Sequence, residues 1–123
     1  RFSCYWDSDS HMTYPLILAK IPVKNPWEIF AYLPFGNWNE CPGTPDLMAV
    51  AKYWFEQHGA IPAAMSHDEL EFELPTPISK ERAMEVAVEQ YGFCPDLDQN
   101  EDGSIGSLAD VLWQSTVWYF WWD

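Results

Sequence analysis

Basic residues are scarce in this chain. Six Lys and Arg stand against 19 Asp and Glu, a formal net charge of -13. That imbalance repels nucleic-acid phosphates and anionic lipid headgroups, so neither nucleic acid nor membrane is an expected partner. Cysteine is scarce too. Cys4, Cys41 and Cys94 make an odd number with no dense framework, which argues against a disulfide-built scaffold and points to a reducing, cytoplasmic setting. No apolar run reaches the ~18 residues a membrane span needs. Walker loops, dinucleotide glycine fingerprints, zincin helices and serine elbows are missing, and phosphate-binding and nucleic-acid signatures are absent too.

Aromatic residues are abundant instead. They make up 17% of the 123 residues and include 8 Trp, within a chain that is 48% hydrophobic. One domain of this size buries about two thirds of its unfolded surface, enough for a core without disulfides. Residues 1–13 show no period and read as a peripheral segment, and 14–123 as one compact domain. A start at Arg1 rather than Met is compatible with the C-terminal part of a longer protein.

The pattern predicts a strand within Leu16–Ile21, then a segment broken by four prolines, Asn25–Pro45, too apolar for a solvated loop. Trp27–Tyr32 within it suits a strand or a short helix. Pro45–His58 reads as a helix, capped by Thr44 and stopped by Gly59, with Leu47, Val50, Ala51, Trp54 and Phe55 on its apolar face. Ile61–Ser66 and Glu69–Leu74 read as paired strands joined by a turn at Asp68 and Glu69. In the second, Leu70, Phe72 and Leu74 alternate with an outward acidic row of Glu69, Glu71 and Glu73. Lys80–Tyr91 reads as a helix capped by Ser79 and stopped by Gly92, its stripe of Ala83, Val86, Ala87 and Gln90 widened by Met84 and Val88. A short helix, Leu108–Gln114, follows a Ser107 cap. "TVWYFWWD" ends the chain as a strand apolar on both faces, hence an interior strand or one whose second face binds something. The expected fold class is α/β or α+β: a small mixed β-sheet packed by two main helices and one short one.

Three constellations carry chemistry. "DQNEDGSIGSLAD" resembles half of a calcium loop, with Asp98, Asn100, Asp102 and Ser104 at oxygen-ligand positions and Gly103 at the turn. Ala109 occupies the place of the bidentate acid, and Asp110 comes one position late, so the loop would hold Ca2+ weakly or serve as a helix-capping turn. Cys41 with His67 and Asp68 is a candidate nucleophile-and-base arrangement in a Glu40, Cys41, His67 cluster, although the Glu40 carboxylate next to the thiol disfavours the thiolate. The simpler reading makes Cys41 and Cys94 small buried hydrophobes and His67 a polar turn residue. The same two cysteines with His58 and His67 lack the close paired spacing of structural zinc. Trp27, Tyr32, Phe35, Trp38, Asn39, Glu71 and Trp122 are candidate binding residues, set against core packing for the aromatics.

The blocks "NPWEIFAYLPFGNWNECP", "LMAVAKYWFEQHGAIPA", "EQYGFCPD" and "VWYFWWD" resemble an uncharacterised bacterial family, the domain of unknown function numbered 4253, over about Ile21–Asp123. The resemblance implies a compact domain and carries no established activity. The positions it marks best are Trp38, Asn39, Glu40, Cys41, His67, Glu71, Cys94, Asp96 and Trp122.

Charge and composition favour an interaction module whose partner is a basic protein, an immunity-type inhibitor of a nuclease being one form. A hydrolase or small-ligand enzyme built on Glu40, Cys41 and His67 is the alternative, and a calcium-stabilised accessory domain a third. A homo-oligomer would follow from an exposed apolar face.

Overall fold

A computed structural model describes residues 2–99 and 103–123. The fold is α+β. Its centre is a three-stranded sheet of β3 (Ile61–Met65), β4 (Glu69–Glu73) and β5 (Val117–Trp121), in the order β3-β4-β5. The mixed sheet expected from sequence is antiparallel throughout. Helices α1 (Thr44–His58), α2 (Lys80–Phe93) and α3 (Ile105–Leu112) accompany it, with 3-10 helices at Pro26–Ala31 and Pro95–Gln99. A separate two-stranded hairpin, β1 (Trp6–Asp7) with β2 (Met12–Thr13), forms in the N-terminal arm.

Helix α1 starts from Gly43 as N-cap, with Thr44 already helical, Pro45 in the first turn and Asp46 at the positive end of the dipole. It stops at Gly59, whose φ of 71° is left-handed and favours glycine. Gly36 (φ 86°) is needed for space as well: a Cβ there would stand 2.2 Å from the Pro42 carbonyl oxygen. Helix α2 runs through Gly92 to Phe93, so that glycine does not end it. Its core stripe is the expected one, but Met84 and Val88 face solvent. The α3 cap is Ser104, whose Oγ accepts the Ser107 N–H at 3.0 Å, and the helix ends before Gln114.

Side chains alternating along β4 and β5 fill the core. Leu70, Phe72, Trp118, Phe120 and Trp122 point inward and are fully buried. Phe120 stacks on Trp54 at 5.5 Å and meets Phe93 edge-on at 5.1 Å, while Trp54 meets Trp118 edge-on at 5.4 Å. Each such pair contributes about 0.5–1.5 kcal/mol beyond the area it buries. The broken aromatic segment is an ordered cover: Phe35 packs against Trp38 (5.3 Å) and Trp122 (5.9 Å).

Four further expectations are corrected by the structure. Strand β5 lies at the sheet edge, and its second face is partly exposed at Tyr119. The turn before β4 is at His67 and Asp68, closed by Ser66, whose N–H bonds the Glu69 carbonyl at 3.0 Å. Leu16–Ile21 forms no strand: Leu16–Lys20 is exposed, and among the described residues no strand lies beside the segment. Alternation also misplaces Glu71, which is 0% exposed rather than solvated. The N-terminal arm crosses over it: Oε1 accepts the Ser3 N–H at 2.8 Å and Oε2 the Cys4 N–H at 3.0 Å. Among the described residues, no helix is long and apolar enough to cross a membrane.

Candidate functional site

Two helical faces meet above the core and leave an open groove of about 690 Å³. From α1 come Asp46, Val50, Tyr53 and Trp54, spaced by three, four and seven; from α2 come Glu89 and Phe93. Trp54 and Phe93, 5.1 Å apart and edge-on, give it an aromatic floor. Glu89 ties the helices together: its carboxylate accepts the Tyr53 O–H at 3.2 Å and the Trp54 indole N–H at 3.0 Å. The Glu89 charge, with burial a smaller cause, raises the Tyr53 pKa, so the phenol stays protonated and keeps donating.

Gly92 also lines the groove, in the last turn of α2. A Cβ at that position would touch nothing within 4 Å, so packing does not require glycine there. The missing side chain leaves the groove open above Trp54 and Phe93, which are themselves core residues. Among the described residues no Lys or Arg lines the groove, while Asp46 and Glu89 do, so it is apolar below and negative at its walls.

The residues expected to be catalytic do not form a comparable site. Cys41 is buried, and its thiol is pushed up to about 12, by burial first and then by the negative charge of an ionised Cys94. A thiol held protonated is a poor nucleophile. The His67 side chain is 90% exposed and lies 3.3 Å from Asp68 Oδ2. Glu40 is exposed, and among the described residues no hydrogen bond or ion pair joins any two of the three.

The binding residues expected from sequence divide into three places. Phe35, Trp38, Asn39 and Trp122 gather at the end of β5, where Asn39 Nδ2 donates to the Asp123 carbonyl at 2.7 Å. Cys94 and Asp96 join them: the Cys94 thiol donates to the Trp121 carbonyl at 3.1 Å, and Asp96 accepts the Asp123 N–H at 3.0 Å. These groups clasp the last strand. Trp27 packs on Phe55 at 5.4 Å beneath Lys52, and Tyr32 is exposed. Glu71 lies on the opposite face of the sheet from the core, under the arm.

Of the proposed calcium ligands, Asn100, Asp102 and the Asp98 side chain lie outside the described residues. Ser104 caps α3, and Asp110 is exposed on that helix. Among the described residues no group of three or more His, Cys, Asp or Glu could hold a metal ion. Sequence reasoning missed Asp46, Tyr53, Glu89 and Gly92. The signal was present as a second stripe on α1, beside the core stripe of Leu47, Ala51 and Trp54.

No curated protein and no solved structure matches the chain. A family model does match, over residues 17–123: the chain belongs to the family described as domain of unknown function, DUF4253.

Proposed function

We propose that this domain is an interaction module that takes a cationic side chain of a basic protein into the α1–α2 groove. The observation that carries this reading is the groove's makeup: Trp54 and Phe93 at its base, the carboxylates of Asp46 and Glu89 at its walls and, among the described residues, no Lys or Arg lining it. An Arg or Lys stem lies over the groove's apolar lining while its head meets the carboxylates. The net charge of -13 adds long-range attraction that speeds encounter with a basic surface. A nucleic-acid-binding protein presents such a surface, and blocking it would make the module inhibitory.

The test is a titration with a short peptide of alternating Arg and Tyr, against a control with Glu in place of Arg. The Trp54 indole N–H signal in NMR reports on the groove. The expected result is saturable binding of the cationic peptide alone, weakened by salt, with that signal shifted. Gly92→Leu fills the groove from a position where a Cβ meets nothing, so the fold is kept and binding drops at least tenfold. Equal binding by Gly92→Leu moves the site elsewhere, and indifference to both peptides at millimolar concentration ends the proposal.

A further inference from the structure

The N-terminal arm is a self-contained piece joined to the body by a bare connection. Its hairpin pairs with itself, Trp6 with Thr13 and Asp7 with Met12, and Tyr14 closes it by bonding Tyr5. Two hydrogen bonds tie the arm to the body at Glu71, which accepts the N–H groups of Ser3 and Cys4. Between arm and body, Pro15–Lys20 makes no hydrogen bond to any described residue. Ile17 is 95% and Leu18 100% exposed. This is the stretch whose composition predicts a strand. It is extended, apolar and unpaired, which is the condition that templates pairing with another chain.

We propose that two copies of the chain exchange their arms. In the resulting dimer, residues 2–13 of each copy dock on Glu71 of the other, and the two Leu16–Lys20 segments pair antiparallel about the twofold axis. Every contact of the arm is retained, because the docking site is the same surface on either copy. What the dimer adds is the pairing of the connecting segments. With the axis at Leu18, that residue faces its own copy, Ile17 faces Ala19, and Leu16 faces Lys20. Pro15 and Pro22 bracket the stretch and confine the ribbon to it, since proline offers no N–H to a ladder.

Charge favours the same arrangement. Tyr14–Lys24 holds Lys20 and Lys24 and no carboxylate, a third of the chain's 6 basic residues. The outer face of the central strand β4 holds Glu69 and Glu71 beside Cys4 of the docked arm, with Glu73 further along the same strand. In the exchanged dimer each cationic connection crosses toward the other copy's acidic face, which offsets part of the repulsion between two chains of charge -13. None of this depends on the groove, and either proposal stands if the other fails.

The experiment is light scattering after size separation, on chain refolded at concentrations from micromolar to millimolar so that exchange is not kinetically blocked. A dimer is expected at the upper end. Leu18→Asp sets two carboxylates face to face at the axis, on a side chain that touches nothing in the monomer, and weakens the dimer at least tenfold with melting of the monomer unchanged. In a dimer refolded from a mixture of nitrogen-15 and carbon-13 labelled copies, NOEs from the Ser3 and Cys4 amides must reach the Glu71 side chain of the other copy. A monomer throughout, a dimer indifferent to Leu18→Asp, or NOEs confined to one copy would each overturn the exchange.

Discussion

The two faces of the β3-β4-β5 sheet are made from alternate residues of the same strands, and they are stabilised by opposite means. On the inner face Leu70, Phe72, Trp118, Phe120 and Trp122 are sealed by α1 and α2 through ring packing. On the outer face Glu71 is just as buried, yet polar, and is satisfied by main-chain N–H groups 67 and 68 residues away in sequence. Around it Tyr119 donates to Glu69 at 2.7 Å, and the Trp121 indole donates to Asp68 at 3.0 Å. Non-directional burial serves the first face, and directional hydrogen bonding serves the second. Burial tolerates many partners, whereas a buried carboxylate needs particular donors in particular places.

The comparison is broken most severely at Phe120. Its ring lies within 6.0 Å of the rings of Trp54, Phe72, Phe93 and Trp122. Phe120→Ala removes the shared neighbour and leaves a cavity that several large rings cannot jointly fill, at a cost of about 3–5 kcal/mol. Chemical denaturation measures this; a loss below about 1 kcal/mol would mean the inner face is looser than its packing implies.

Glu71 comes next. Glu71→Ala leaves the Ser3 and Cys4 amides without their acceptor, and an unsatisfied buried group costs about 1–3 kcal/mol. The arm can swing away to hydrate those amides, so the lower part of that range is expected. Hydrogen exchange separates the two faces: the Ser3 and Cys4 amides lose protection while amides of β5 keep theirs. Equal loss in both places would show that the arm and the core unfold as one unit.

The same contrast explains what could be read in the sequence. Periodicity located α1, α2, β3 and β4, and the capping glycine of α1, because each is decided by neighbours within a turn or a strand. It gave Leu70, Phe72 and Leu74 their buried face for the same reason. Alternation placed Glu71 in solvent because the arm that covers it follows no local rule. The Leu16–Ile21 strand failed in the converse way: its residues suit a strand, but pairing depends on a partner that this chain does not lay beside it. Apolarity on both sides of "TVWYFWWD" suggested an interior strand, whereas β5 is an edge strand whose outer Trp121 anchors to Asp68. The groove was half legible. Asp46, Val50 and Tyr53 have helical spacing, but that α2 would bring Glu89 and Gly92 opposite them is a tertiary fact.

Titration separates the faces with the smallest effects. His58 ends α1 against the inner face, its ring 5.7 Å from that of Trp118. Burial, then the charge of Arg82, lowers its pKa below the ordinary 6.5. The unfolded chain therefore binds the proton more readily, and this contribution to stability is complete above pH 6.5 and lost as pH falls toward the folded value. Melting temperature followed downward from pH 8 should fall more steeply for the wild type than for His58→Leu; parallel curves would remove His58 from the account.

On the outer face the sign and the pH window reverse. Burial, then the hydrogen bond to Glu69 and the charges of Glu69, Glu71 and Asp68, raise the Tyr119 pKa above its ordinary 10. The folded chain holds that proton when the unfolded chain has released it. Stability from this group is complete below pH 10 and declines as pH rises toward the folded value. Tyr119→Phe removes the bond to Glu69, costing about 0.5–1 kcal/mol at neutral pH for a partly exposed pair, and it should also flatten the alkaline limb. Tyr53, raised by Glu89 on the groove side, titrates in the same direction, so Tyr53→Phe is the necessary control. A limb flattened by Tyr119→Phe and not by Tyr53→Phe assigns the alkaline loss to the outer face, where hydrogen bonds rather than packing hold the sheet. The reverse pattern would place that loss in the groove.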